Sequence, residues 1–264
     1  MQETSPRLCR EFEMRFHAWM MLLVLFGRPI ASIAADGPPA PSSDEIVSKM
    51  MLRSFQRQAL LGQYSGMRLY VLENERMHKR AQMLVRIKFE PTGAKHFEIV
   101  SEEGWEAANK HVLRKMLSSE EETSTPEQQN KTQLNFENYL FSIAGTEDIG
   151  GRPAYVLEVS PKRRDKYLFH GRIWIDAEDF ALVQAEGQPA KSPSFWTRSI
   201  RFTQFYSKQG QFWFAARTQS VTEALIFGKT NVTISYFGYD AKSDGTDNPA
   251  PELGIDQDRV PVGP

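Results

Sequence analysis

The stretch Arg80–Glu90, RAQMLVRIKFE, decides the fold. Ala81, Met83, Val85, Ile87 and Phe89 are apolar; Arg80, Gln82, Arg86, Lys88 and Glu90 are polar; Leu84 is the one exception. A period of two belongs to a strand with one buried and one wet face. Pro91-Thr92-Gly93 reads as a turn, after which residues 95–101 return with Phe97 and Ile99 on one face.

The same alternation fills the C-terminal half. Tyr139, Phe141 and Ile143 alternate with Leu140 and Ser142, and Gly150-Gly151 makes a hairpin turn. Tyr155, Leu157 and Val159 follow, then Phe169, Ile173 and Ile175. Residues 176–179 turn into another strand over 180–186, and further strands run over 198–207, 211–222 and 226–239. The pattern predicts about ten strands, most of them one-sided, which is the signature of an antiparallel sheet.

Two segments have helical period instead. Ser42 with Glu45 three residues on is a capping box. The helix it starts runs to about Leu61, with Val47, Met51, Phe55 and Ala59 on one stripe and Gly62 ending it. Residues 104–117 form the second, with Trp105, Ala108, Val112 and Met116 on its stripe. Between this helix and the second set of strands, residues 118–131 (SSEEETSTPEQQNK) read as a solvated acidic loop. Its run Glu120, Glu121 and Glu122 belongs to that solvated face, because nothing places further oxygen ligands around it. The fold class is therefore α+β, mainly antiparallel β. A sheet this large must curl or close. Its inner face must be covered by helices, filled by its own side chains or left as a cavity. Helices 44–61 and 104–117 are the segments with an apolar stripe long enough to cover it.

The N-terminus is an export signal. Arg7, Arg10 and Arg15 precede the apolar run AWMMLLVLF (residues 18–26), and Ser32 and Ala34 stand at -3 and -1 of a cleavage after Ala34. The apolar run is about half the roughly 20 residues that a membrane span needs. Met14 would start a cleaner signal by itself. Cys9, the one cysteine, precedes the apolar run, so removal of residues 1–34 leaves no thiol. That excludes disulfides, zinc-thiolate sites and a thiol nucleophile together. Residues 35–62 are then a leader and the first helix, 63–240 a single β domain, and 241–264, rich in Asp, Gly and Pro, a disordered tail. The formal charge of -1 gives no basic footprint for nucleic acid.

The segment GRIWIDAEDFALVQAEGQPAK (171–191), with Phe195-Trp196 and FTQFYSKQGQFWFAA (202–216), resembles the outer-membrane lipoprotein-sorting proteins, the superfamily of the carrier LolA, its acceptor LolB and the regulator RseB. The resemblance weakens into a matching order of strands and helices over residues 63–240. It implies a strongly curved, unclosed β-barrel, a half-barrel whose two helices cover a concave apolar face. It implies a monomeric periplasmic carrier of lipid or lipoprotein acyl chains, with an inner-membrane donor complex and an outer-membrane acceptor as partners. An RseB-like regulatory or scaffolding module that binds a protein is the alternative. A basic residue touching the lid is also implied, with Arg68 and Arg86 both candidates.

Nothing in the residues points to an enzyme or to a cofactor. G-x-S-x-G, P-loop, H-E-x-x-H and dinucleotide motifs are absent. His78, His96, His111 and His170 are scattered without an i, i+4 pair, so no metal site is expected. Asp176 and Asp179 are three residues apart, but aspartate in a hairpin connection is what turn chemistry selects. The aromatic residues carry what remains. Phe89, Phe97, Tyr139, Phe141, Tyr155, Phe169, Phe202, Phe212, Phe214 and Tyr236 fall on the apolar parity of their strands. They read either as packed core or as the wall of a ligand cavity, with Trp105, Val112 and Met116 as its lid. The export reading makes a direct prediction: N-terminal sequencing of the exported protein finds a start at or near Ala35, and an intact 19–26 segment contradicts it.

Overall fold

The computed structural model describes residues 40–90, 95–124, 126–192 and 197–243. The export signal, the Pro91-Thr92-Gly93 turn, Phe195-Trp196 and nearly all of the tail lie outside the described residues. The described residues from Pro41 onward form one compact unit.

Among the described residues, ten strands make one antiparallel sheet. They are β1 (Leu61–Asn74), β2 (Lys79–Phe89), β3 (Lys95–Gly104), β4 (Tyr139–Ile149), β5 (Arg152–Pro161), β6 (Phe169–Asp176), β7 (Leu182–Pro189), β8 (Thr197–Gln209), β9 (Phe212–Ala224) and β10 (Gly228–Ser243). Their order is β3-β2-β1-β10-β9-β8-β7-β6-β5-β4. The sheet is curled and unclosed, with β3 and β4 as its two edges. β2 realises the deciding pattern directly: Ala81, Met83, Val85 and Ile87 are buried, while Arg86 and Lys88 face solvent.

Helix α1 (Ser43–Leu60) precedes the sheet, and the Ser42 hydroxyl accepts the Glu45 N–H at 3.2 Å as its cap. Three further helical pieces connect the edge strands β3 and β4: α2 (Glu106–Ala108), continued by a π turn (Asn109–Leu113) into α3 (Arg114–Thr123), and then α4 (Pro126–Thr132). The expected solvated loop at 118–131 is thus mostly helical. Glu and Gln are good helix formers, and Pro126 takes the first-turn position where its missing N–H costs nothing. The π turn also shifts the apolar stripe. One extra residue per turn brings Leu113 and Leu117 onto the sheet beside Ala108 and leaves Val112 40% exposed.

Each helical cover has its own core. Ile46, Val47 and Met50 of α1 pack on Tyr139, Leu157, Val159, Ile173 and Ile175 of β4–β6. Ala108, Leu113 and Leu117 pack on Tyr70, Leu72, Met83, Val85, Val232 and Ile234 of β1, β2 and β10. A third cluster differs from the expected wet face. Val156 and Trp174 alternate with the α1 core residues and so lie on the opposite face, and Val183, at a bulge in β7, and Trp213 pack beside them. The Trp174 indole N–H donates to Glu147 Oε2 at 2.9 Å, which satisfies its polar handle.

The stretch 171–191 contains a second constraint. Gly171 and Gly187 are paired across β6 and β7. A Cβ on Gly171 would lie 2.0 Å from the Glu186 carbonyl oxygen, and one on Gly187 would lie 2.4 Å from that of His170 and 2.8 Å from the Phe169 ring. The glycine pair lets the strands approach, and Phe169 meets Phe202 edge-on at 5.2 Å. Gly171→Val should therefore cost about 3 kcal/mol by overpacking against backbone that cannot yield. Urea unfolding of the variant checks this, and a wild-type midpoint contradicts it.

Candidate functional site

The inner face carries two covers that are fastened in different ways. Over β1, β2, β3 and β10, the cover is latched by charge. Arg68 of β1 is 7% exposed. Its Nη1 and Nη2 reach the Glu120 carboxylate of α3 at 2.6 and 3.2 Å, and Lys95 Nζ reaches the same carboxylate at 2.9 Å. The guanidinium also lies over the Phe97 and Tyr236 rings at 5.5 and 5.0 Å. Burial alone would lower the Arg68 pKa, but Glu120 more than reverses it and the net shift is upward. Burial likewise pushes the neighbouring Tyr70 hydroxyl up to about 12. Arg68 Nε is buried without a hydrogen-bond partner, a desolvation cost the latch carries. Of the two basic candidates, Arg68 therefore touches the lid, whereas Arg86 pairs with exposed Glu98.

Over β4–β7, the cover is fastened by backbone contacts at its far end. Arg57 of α1 donates to the Asp179 carbonyl at 2.9 Å and the Phe180 carbonyl at 3.2 Å in the β6–β7 turn. That turn is rigid. The buried Asp176 carboxylate accepts the N–H groups of Glu178 and Asp179 and a bidentate pair from Arg152. Asp179 in turn accepts from Trp213 at 3.0 Å and pairs with Lys208 at 2.7 Å. Asp176 and Asp179 are thus tied up in holding the turn. Phe180 sits there at φ 48°, strained for a bulky residue, with Tyr155 stacked on it.

Between its buried start and this pin, α1 leaves apolar side chains uncovered. Met51 is 37%, Leu52 56% and Phe55 72% exposed. A cleft of about 450 Å³ runs beneath, lined by apolar Met50, Met51, Phe55, Leu134 and Leu182 together with polar Ser54, Arg57, Gln58, Gln133 and Asn135, and by Tyr206. Burial pushes the Tyr206 hydroxyl pKa up. A depression of about 430 Å³ beside β3 is unlike it, being walled by Glu102, Glu103, Glu106, Lys110 and Arg114.

None of the ten aromatic residues singled out from the sequence lines the cleft under α1. Phe97 and Tyr236 flank Arg68. Phe89 stacks on Tyr64 at 4.8 Å, Tyr64 meets Phe214 at 5.4 Å, and Phe214 stacks on Tyr239 at 4.4 Å, with Phe212 adjoining. Tyr139 is core, and Phe141, Tyr155 and Phe169 pack against the same cluster, with Phe202 on Phe169. Of the three lid residues, Trp105 and Met116 pack on the inner face and Val112 points outward. The residues that do line the cleft were visible as the apolar side of α1, but Leu134, Leu182 and Tyr206 carried no periodic signal. Among the described residues, no group of three His, Cys, Asp or Glu side chains is placed to hold a metal ion, and no helix is long and apolar enough to cross a membrane.

No protein-family model matches the chain, and no curated protein matches it in sequence. Solved structures do. A DUF1329 family protein from Desulfovibrio piger is 11% identical, over 79% of this chain and 96% of its own, at a TM-score of 0.39. A putative outer membrane lipoprotein-sorting protein domain from Vibrio parahaemolyticus is 13% identical, over 76% and 95%, at 0.37. MucB, solved alone, is 11% identical, over 76% and 94%, at 0.25. Similarity at this level decides nothing about ligands, so the site is judged by its geometry.

The latch yields a pH prediction. Burial would raise the Glu120 pKa, but Arg68 and Lys95 hold it below the ordinary 4.5. Its stabilisation is therefore complete above about pH 4.5 and is lost as pH falls through the lower folded value. Arg68→Ala, which removes the bidentate partner of Glu120, should cost roughly 3 kcal/mol at pH 7. Glu120→Gln should be destabilised at pH 7 relative to wild type, with the gap closing only below about pH 4.5. Denaturant titrations across pH measure the gap, and a gap that closes at higher pH contradicts the latch.

Proposed function

We propose that the chain is a periplasmic, non-enzymatic carrier that takes an acyl chain of a lipid or lipoprotein into the cleft under α1. The observation that carries this is the exposed pair Met51 and Phe55 of α1, held by the Arg57 pin over a cleft whose walls mix apolar and polar side chains. The aromatic residues that could have walled a larger cavity pack on one another instead. The cleft's volume falls within the roughly 300–1,000 Å³ typical of ligand pockets.

Magnitudes set the expected affinity. Burying a methylene is worth about 0.8 kcal/mol, so a sixteen-carbon chain offers on the order of 12 kcal/mol gross. Association costs roughly 4–15 kcal/mol, so one chain should bind no more tightly than the micromolar range, loosely enough to be handed on. The Arg68 latch supports this reading by keeping the opposite cover shut, so that α1 is the cover free to yield. A second reading, binding of a protein partner, is favoured by one feature: the edge strand β4 exposes Leu140 (61%) and Ile143 (48%) beside unpaired backbone.

Titration of the full chain with a fluorescent sixteen-carbon fatty acid tests the carrier. Met51→Glu should weaken binding by more than about tenfold, because a charge would face the acyl chain, while its stability stays near wild type. Leu140→Glu should bind as wild type does. Full affinity in Met51→Glu, or a loss confined to Leu140→Glu, contradicts it.

A further inference from the structure

Two hairpin tips meet at one end of the sheet. β1 pairs with β10 down to Asn74 opposite Thr230, so the β1–β2 turn (75–78) sits beside the β9–β10 turn (225–227). Together they present four large apolar side chains to solvent: Met77 at 40%, Leu225 at 41%, Ile226 at 58% and Phe227 at 50%. None of these packs in any core cluster of the described residues.

The tip is built rather than frayed. Asn74, 3% exposed, donates to the Phe227 carbonyl at 2.9 Å and to the Thr230 hydroxyl at 2.7 Å, and accepts the Met77 N–H at 2.8 Å. Arg76 Nη1 donates to the Ile226 carbonyl at 3.2 Å, and the Glu75 N–H to that of Lys229 at 3.1 Å. The loop backbone is thus held from inside while its side chains point out. The cost of this arrangement is a buried asparagine and a solvated cluster of apolar groups, which folding alone does not ask for.

Charge surrounds the apolar tip. Across residues 73–80 and 223–229, Arg76, Lys79, Arg80 and Lys229 stand against Glu73, Glu75 and Glu223, an excess of one positive charge; Arg80 pairs with Glu73 and Lys229 with Glu75, while Lys79 lies over the Trp105 ring at 5.5 Å. Apolar side chains ringed by charge of net positive sign match the boundary between acyl chains and anionic headgroups. There, backbone carbonyls find little water, and those of Ile226 and Phe227 are already satisfied.

We propose that this double-hairpin tip docks the protein on anionic phospholipid bilayers, with Ile226 and Phe227 at the acyl boundary and Arg76 and Lys79 on headgroup phosphates. The tip shares no residue with the cleft under α1, and docking stands whether or not that cleft takes an acyl chain.

The test uses the full chain in a Cys9→Ser background. An environment-sensitive fluorophore is attached at Ile226→Cys, and in a separate protein at Leu140→Cys, which is equally exposed but lies on the β4 edge. Vesicles of one part phosphatidylglycerol to two parts phosphatidylcholine should shift the emission at 226 to the blue and leave that at 140 unchanged. The label reports its own surroundings, so anchoring by residues 18–26 does not mimic the result. Arg76→Gln and Lys79→Gln should each raise the vesicle concentration needed for the shift about fivefold. An unshifted label at 226, an equal shift at 140, or the same titration with pure phosphatidylcholine overturns the proposal. The first of these would return the tip to a protein partner.

Discussion

Everything in this structure follows from a sheet with one apolar face that does not close. Ten strands curl, but β3 and β4 remain edges, so the inner face has an opening that the sheet cannot cover by itself. Connectivity supplies the remedy. The chain between the two edge strands contains α2, the π turn, α3 and α4, and the chain before the sheet contains α1. The two helical covers lie on different halves of the face, each with a separate core.

The covers are unequal in how they are held. The β3–β4 connection is anchored by Leu113, Leu117 and a largely buried ion pair, whose disruption strands a charge. Helix α1 buries Ile46, Val47 and Met50, then continues for more than two turns with its apolar residues exposed. Its far end is held by two hydrogen bonds from Arg57 to backbone carbonyls. Hydrogen bonds of that kind contribute about 1.5–3 kcal/mol each to a charged donor, which ligand burial is able to offset. In the proposed carrier, this asymmetry assigns the moving part to α1 and the fixed part to α3.

Much of the fold was legible in the sequence because strand period survives context. The pattern of residues 80–90, the Gly150-Gly151 turn and the Ser42 cap all read directly. Where packing sets the answer, the reading stopped. Val112 looked like a stripe residue because an α-helical period was assumed, and a π turn leaves no mark in composition. Trp174 falls between Ile173 and Ile175, on the parity an alternating strand turns to solvent, yet a local second core absorbs it. The aromatic residues of the inner face could be placed on a face but not against a neighbour, since core and cavity wall share the same parity. Glu120 sat in an acidic run, and only the tertiary approach of β1 gives it Arg68. Gly171 and Gly187, sixteen residues apart, explain themselves only once their strands are paired.

The central claim is that α1 is a partly seated cover over a ligand cleft. Amide hydrogen exchange along α1 tests it most directly, measured with and without a sixteen-carbon acyl ligand. Without ligand, amides over residues 52–60 should exchange markedly faster than those over 46–50, and the ligand should slow the faster set while leaving α3 unchanged. Uniform protection along α1, unaltered by ligand, would contradict the account.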